Sequence, residues 1–190
     1  MELAKENTTS YIILGLLTHE DMTGYDIKRN IEESIKDFWN IGFGQIYPTL
    51  KNLESDGLIN RVDTSDSSGK KLYAITEKGR EYFLDWLKDS TVTEYVKYEI
   101  ILKLFFGNQI QDEDNIKKID DFYINSHQKY ETANKYSKML SNIIKDDDDH
   151  LYYYLTTLFG KYMYAAYMDW ASEARTLLEG KKNRNKDKTT

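Results

Sequence analysis

The chain has 190 residues, of which 40% are hydrophobic and 31% charged, with 16 tyrosines and one proline. This composition is typical of a mostly α-helical protein, and the length allows one ordinary domain or two small ones. The absence of cysteine excludes disulfides, thiolate catalysis and cysteine-ligated metal sites, and favours a reducing, cytoplasmic setting. Neither a signal peptide nor a run of about 18 apolar residues is present, so no membrane partner is expected.

Two helices are predicted at the start of the chain. Residues 9–17 are apolar almost all round, which indicates a buried helix. A second helix begins at Thr23 or Gly24 and extends to about Asn40. Its apolar side chains recur at helical spacing: Tyr25, Ile27, Ile31, Ile35, Phe38 and Trp39.

A third helix, predicted over residues 45–56, has two contrasting faces. The inward face carries apolar side chains at 4-3 spacing: Ile46, Leu50 and Leu53. The outward face is polar: Gln45, Tyr47, Thr49, Lys51 and Asn52. Pro48 fits the first turn because the N–H that it lacks would have no intrahelical partner there. Gly57 ends the helix.

A β-hairpin is predicted directly after this helix. Residues 58–63 and 70–75 are rich in β-branched and aromatic side chains, and a polar turn separates them. Lys70 and Lys71 lie beside this turn, so the tip could lie along a phosphate backbone. A polar-faced helix, a glycine stop and a hairpin in this order predict a winged helix with a two-stranded wing. Thr76 then caps a fourth helix, with Glu77 in its first turn.

The composition changes at about residue 91, after which only helices are predicted. Two long helices, over residues 114–145 and 148–179, carry apolar seams and should fold back as an antiparallel hairpin. Their surplus of aromatic side chains predicts contact with a second copy of the chain or with the winged-helix module, and a homodimer is the expected assembly. The expected fold is therefore mostly α: a winged helix-turn-helix domain at 1–90, an all-helical dimerisation domain at 91–180 and a disordered basic tail at 181–190.

Three sequence blocks stand out in the N-terminal half: GYDI at residues 24–27, GQIYPTL continuing to LESDGLI at residues 44–59, and KLYAITEKG at residues 71–79. In this order and spacing they resemble the PadR family of bacterial transcriptional regulators. The resemblance covers roughly residues 9–87, and the remainder matches larger PadR-like proteins in architecture. It implies a homodimeric winged-helix regulator, most often a repressor, that releases its operator when a small molecule binds.

The net charge of −6 argues against a nucleic-acid partner unless cations are gathered on one face. The candidates lie on the second helix, the third helix and the hairpin: Lys28, Arg29, Lys51, Arg61, Lys70 and Lys71. Asp63 and Asp66 make this wing less basic than many in the family. The sequence therefore predicts a local basic patch on an acidic body.

If the third helix enters a major groove of double-stranded DNA, three side chains could reach base edges: Gln45, Thr49 and Asn52. Five side chains would hold phosphates: Tyr47, Lys51, Lys70, Lys71 and Tyr73. Tyr73 has an alternative, because a strand tyrosine could simply pack on the next helix. A dimer would present two such helices to an inverted-repeat operator.

Four aromatic side chains near the expected dimer seam are candidates for a small aromatic effector: Tyr82, Trp86, Tyr98 and Trp170. Core packing is the stronger explanation of aromatic residues at this spacing. The three histidines are scattered, and the aspartates before His150 fit a helix start better than a metal site, so no enzyme, metal or cofactor is predicted. The alternative function is a winged-helix protein-interaction module, which the acidic charge favours.

Overall fold

The computed structural model of the chain describes residues 3–36, 38–39, 41–62, 71–90, 97–145 and 147–187. The chain divides into two compact units, Met1–Glu94 and Tyr95–Thr190. This division lies close to the boundary predicted at residue 90. Among the described residues, no helix combines the length and the hydropathy needed to span a bilayer.

The N-terminal unit consists of helices around a small antiparallel sheet. Its elements are α1 (Leu3–Leu17), β1 (Met22–Thr23), α2 (Gly24–Asn30), a π-helical turn (Ile31–Ile35), a 3-10 turn (Phe43–Gln45), α3 (Ile46–Ser55), β2 (Ile59–Val62), β3 (Leu72–Ile75) and α4 (Glu77–Lys88). The strand order is β1-β3-β2. The predicted two-stranded wing thus gains a third short strand, because Met22 and Thr23 pair with Tyr73 and Leu72.

The core of this unit lies between the helices and the sheet. Its largest side chains are almost fully buried: Ile13, Leu14, Ile27, Ile31, Ile46, Leu50 and Ile59. Burying a side chain of this size stabilises a fold by about 1.5–3 kcal/mol. The inward face predicted for the third helix is confirmed, since Ile46, Leu50 and Leu53 all belong to this core.

The C-terminal unit is built on two long helices. Its elements are α5 (Glu99–Phe105), a 3-10 turn (Gly107–Gln109), α6 (Asp112–Ser141) and α7 (Asp148–Asp187). The last two are antiparallel, because the start of α6 contacts the end of α7 whereas His150, near the start of α7, hydrogen-bonds the Ile143 carbonyl. Ala133 and Gly160 meet where the helices approach closely.

The structure corrects the prediction of a disordered tail that begins after Gly180. Helix α7 continues through Asp187, and Lys181 and Lys182 each lie 2.6 Å from a carboxylate in the first turn of α6, those of Asp112 and Glu113. Gly180 does not adopt the positive φ with which a glycine ends a helix, because Gly57 is the glycine that has one among the described residues. Residues 188–190 of the predicted tail lie outside the described residues.

Candidate nucleic-acid interface

Helix α3 presents a polar face because its apolar side chains are fixed in the core. Ile46, Leu50 and Leu53 are at most 2% exposed. The predicted contact residues lie on the other side, where four are exposed and Thr49 is half-buried: Gln45, Tyr47, Lys51 and Asn52. The structure therefore keeps all five side chains outside the core and leaves four of them accessible.

Tyr47 combines exposure with a fixed position. Its side chain is 60% exposed, yet its ring packs over Gly24 at the start of α2. A methyl group at position 24 would lie 2.7 Å from Cε1 of Tyr47, closer than carbon atoms approach. Thr23 and Asp26 form a capping box that sets this end of α2. The glycine of the GYDI block thus allows α2 and α3 to meet at Tyr47.

Thr49 and Asn52 offer different hydrogen-bonding groups. The Thr49 hydroxyl donates to the Gln45 carbonyl oxygen at 2.7 Å, so its proton is used within the helix. Its remaining lone pairs can accept a hydrogen bond, for example from an adenine or cytosine amino group. The exposed Asn52 amide has both donors and an acceptor, the pattern that pairs with adenine.

The C-terminal end of α3 is locked by a glycine motif. Gly57 has a φ of 70°, its N–H donates to the Glu54 carbonyl at 3.1 Å, and the Leu58 N–H donates to the Leu53 carbonyl at 2.9 Å. These two bonds form a Schellman motif, which satisfies carbonyls that the helix end would otherwise leave unpaired. Helix α3 therefore ends at a defined point before the wing.

The start of α4 fastens to this helix end. The Thr76 hydroxyl lies 2.8 Å from the Gly57 carbonyl and accepts from the Gly79 N–H at 3.0 Å. Lys78 donates to the Asp56 carbonyl at 2.7 Å. A methyl group at position 79 would lie only 2.0 Å from the Leu58 carbonyl oxygen, so glycine is required for this close approach. We call Gly57, Leu58, Thr76 and Gly79 the α3–α4 junction.

The structure corrects one of the predicted wing contacts. Lys71 is exposed, as a phosphate contact needs to be, and Lys70 lies outside the described residues. Tyr73 is only 7% exposed and belongs to the hydrophobic core. Its ring is buried in the core and does not lie along the outer surface of the wing.

The charges of the N-terminal unit are less favourable to DNA than the sequence suggested. Residues 1–94 hold eleven Lys and Arg against seventeen Asp and Glu, a formal charge of −6, whereas residues 95–190 hold fifteen of each. Three of the predicted cations contact carboxylates: Lys28 with Glu32, Arg29 with Asp26, and Arg61 with Glu54. Lys51 and Lys71 are exposed and make no ion pair with another described residue.

Two of the candidate effector residues form a stacked cluster in the N-terminal unit. The rings of Tyr82 and Trp86 stack on Tyr11, with centroids 5.3 Å and 4.5 Å away. The Tyr11 hydroxyl donates to that of Tyr82 at 3.2 Å. Burial, followed by this hydrogen bond, raises the pKa of Tyr11 to about 12. Sequence reasoning missed Tyr11 because its helix is apolar on all sides.

The other two lie in the C-terminal unit. Tyr98 hydrogen-bonds through its hydroxyl to Tyr167, and Trp170 packs edge-on against Phe122. Burial is the main cause that raises the pKa of Tyr167. Phe122 also packs on Tyr167, which joins these rings into one cluster. Within the described part of the chain, no group of three or more metal-ligating side chains is close enough to hold a metal ion.

Both halves of the chain match known protein families. The family model described as transcriptional regulator PadR-like family matches residues 13–85, and that described as virulence activator alpha C-term matches residues 96–179. The negative transcriptional regulator PadR of Bacillus subtilis is 38% identical over 99 residues, which are 50% of this chain and 54% of that protein. A probable transcriptional regulator of Mycobacterium tuberculosis is 33% identical over 82 residues, which are 42% of this chain and 43% of that protein. The chain thus spans about half the length of the curated relatives it matches.

Solved structures match over a larger share of the chain. Bacillus subtilis PadR in complex with operator DNA superposes with a TM-score of 0.77 and 27% identity, covering 89% of this chain and 96% of that one. The same protein in complex with p-coumaric acid gives a TM-score of 0.73 and 27% identity, covering 90% and 98%. The likeness therefore includes both units of the chain.

Proposed function

Because the chain belongs to the PadR-like family of transcriptional regulators, we propose that it binds double-stranded DNA sequence-specifically and represses transcription as a homodimer. A small aromatic molecule would relieve this repression. The DNA-bound and p-coumaric-acid-bound structures of the Bacillus subtilis relative support the two ligand classes. No catalytic step belongs to this function.

The observation that carries the proposal is the polar face of α3. The core holds this helix on one side, the contact between Tyr47 and Gly24 holds its start, and the α3–α4 junction holds its end. A helix fixed in this way can enter a major groove without losing conformational freedom on binding. Gln45, Thr49 and Asn52 then face base edges, while Tyr47 and Lys51 hold phosphates.

The wing supplies the flanking contact in this proposal. Lys71 comes directly before β3 and is exposed, and Lys70 precedes it in the sequence. Lysines at this place position the protein on the DNA backbone without reading sequence. Two copies of the chain would place two α3 helices in half-sites about one helical turn apart, so the operator is expected to be an inverted repeat.

Dimerisation is proposed to use the C-terminal unit. Several of its large apolar side chains are more than half exposed within one copy: Leu102, Phe105, Phe106, Tyr152, Phe159 and Tyr162. Large exposed apolar surfaces are rare in monomeric proteins, so these side chains are candidates for an interface. A second copy of the chain is the partner that an inverted-repeat operator requires.

The test is a selection of genomic DNA fragments on the purified protein, followed by a mobility-shift assay over a salt series. A specific regulator retains a palindromic site and loses affinity steeply as salt rises. Asn52→Ala should relax the preference at one base pair, whereas Lys51→Ala should weaken all sites alike.

The competing function is a protein-interaction module, which the charge of −6 on residues 1–94 favours. If no duplex is retained at low salt and a pull-down enriches one protein instead, this second function replaces the first.

A further inference from the structure

We propose that Glu54 on α3 sets the strength of DNA binding by keeping Arg61 of the wing away from phosphate. The inference rests on the proposed DNA-binding function. One carboxylate oxygen of Glu54, Oε2, lies 2.7 Å from Nη2 of Arg61. At this distance the contact is a charge-assisted hydrogen bond as well as an ion pair. The pair connects the reading helix to the first strand of the wing.

The register of the sheet explains why Arg61 points toward α3. Arg61 lies directly opposite Tyr73, and Ile59 lies opposite Ile75. Residues two apart on a strand, and residues opposite each other on neighbouring strands, share a face of the sheet. Arg61 therefore lies on the face that carries the buried Ile59 and Tyr73, and it reaches Glu54 from there.

The pair is accessible, so its removal should leave the fold intact. The side chain of Arg61 is 45% exposed and that of Glu54 is 29% exposed. Ion pairs with this exposure contribute little to the stability of a fold. The pair lies next to the proposed DNA surface, and a change there should affect binding more than folding.

Counterion release links this pair to DNA affinity. The slope of log K against log salt reports how many cations contact phosphate, because each contact contributes about 0.9 to its magnitude for duplex DNA. An arginine that is already neutralised by Glu54 does not add to this count. Glu54 thereby weakens binding to every sequence alike and leaves Gln45 and Asn52 to determine which site is occupied.

The experiment measures the affinity of the full chain for a random-sequence duplex between 0.05 M and 0.2 M salt. Glu54→Gln should make the slope of log K against log salt steeper by about 0.9. The ratio of its affinity to that of the wild type should therefore be about 3.5-fold larger at the lower salt concentration than at the higher one. Arg61→Ala alone should keep the wild-type slope. The double variant should also have the wild-type slope, because it has no arginine for Glu54→Gln to release.

Glu99→Gln is the matched control. It makes the same change in net charge and removes the partner of Lys103 in the C-terminal unit instead. Its slope should equal that of the wild type, which separates the release of Arg61 from a general charge effect. Thermal unfolding of each variant shows whether the fold is kept.

Two results would overturn the inference while the proposed function stands. The first is an unchanged slope for a folded Glu54→Gln variant. The second is a shallower slope for Arg61→Ala, because Arg61 would then contact phosphate in the wild type. This second measurement decides the question even if Glu54→Gln does not fold. Failure of the wild type to bind any duplex would overturn the proposed function, and this inference with it.

Discussion

The most direct test of the α3–α4 junction is Gly79→Ala. The added methyl carbon would lie 2.0 Å from the Leu58 carbonyl oxygen and 2.9 Å from its carbon, both backbone atoms that no side-chain rotation can move. Restoring normal contact requires a displacement of more than 1 Å, since carbon and oxygen pack at roughly 3.4 Å. Such a shift would break the hydrogen bond from the Thr76 N–H to the Leu58 carbonyl and weaken the Thr76 cap.

The expected loss can be built up from these contacts. Overpacking costs about 1–3 kcal/mol, and a lost cap about 1 kcal/mol. The better helix propensity of alanine offsets up to about 1 kcal/mol of this loss in unfolding free energy. We therefore expect the N-terminal unit to lose about 1–4 kcal/mol of unfolding free energy, a fall in Tm of about 5–30 °C for a unit of this size.

Thermal and urea unfolding followed by circular dichroism measure this loss. Gly180→Ala is the matched control, because it is the same substitution inside α7 with open space around it. It should stabilise the C-terminal unit by about 0.5–1 kcal/mol. A Gly79→Ala variant that is as stable as the wild type would refute the close packing of the junction.

Three further substitutions test other parts of the structure. Gly57→Ala places a side chain at a φ of 70° and should cost about 1–2 kcal/mol in urea unfolding. Lys71→Ala should make the salt slope of DNA binding shallower by about 0.9, whereas Lys117→Ala, in the other unit, should not change it. The pKa of Tyr11 is raised to about 12, so the unfolded chain loses this proton first and stability falls as the pH rises from 10 to 12. Tyr11→Phe should reduce this fall, and equal urea midpoints for both proteins across that range would exclude the effect.

Helix α3 could be predicted from sequence because its signals are local. The spacing of Ile46, Leu50 and Leu53 defines a buried face within three turns, and Gly57 marks the end with a conformation that glycine adopts readily. The outward side chains follow from that face. Cap residues and turn glycines act over a few residues, which is the range that a sequence pattern covers.

Tyr73 could not be placed in the same way. Its strand, Leu72–Ile75, is apolar at every position, so no alternation of polar and apolar residues shows which face is buried. Burial of its ring depends on the core side chains that meet the sheet from distant parts of the chain. The sequence pattern therefore could not choose between a phosphate contact and a core residue.

Contacts between distant residues explain the other differences. Arg61 meets Glu54 across a helix end and a turn, and Lys181 meets Asp112 from the far end of another helix. Both pairs depend on how the elements fold back. Counting charges along the chain consequently overestimated the cations available to DNA. Treating Gly180 as a helix stop placed the end of the last helix too early.

The π-helical turn at Ile31–Ile35 affects how this chain is aligned with others. The Lys36 N–H bonds to the Ile31 carbonyl, five residues back, where an α-helix would use four. The turn therefore holds one residue more than an α-turn and still keeps Ile31 buried. A relative that is α-helical throughout would reach Ile41, the next buried position among the residues that the structure describes, with one residue fewer. A one-residue gap in a sequence alignment of this segment would then reflect a change of helix type rather than a shorter loop.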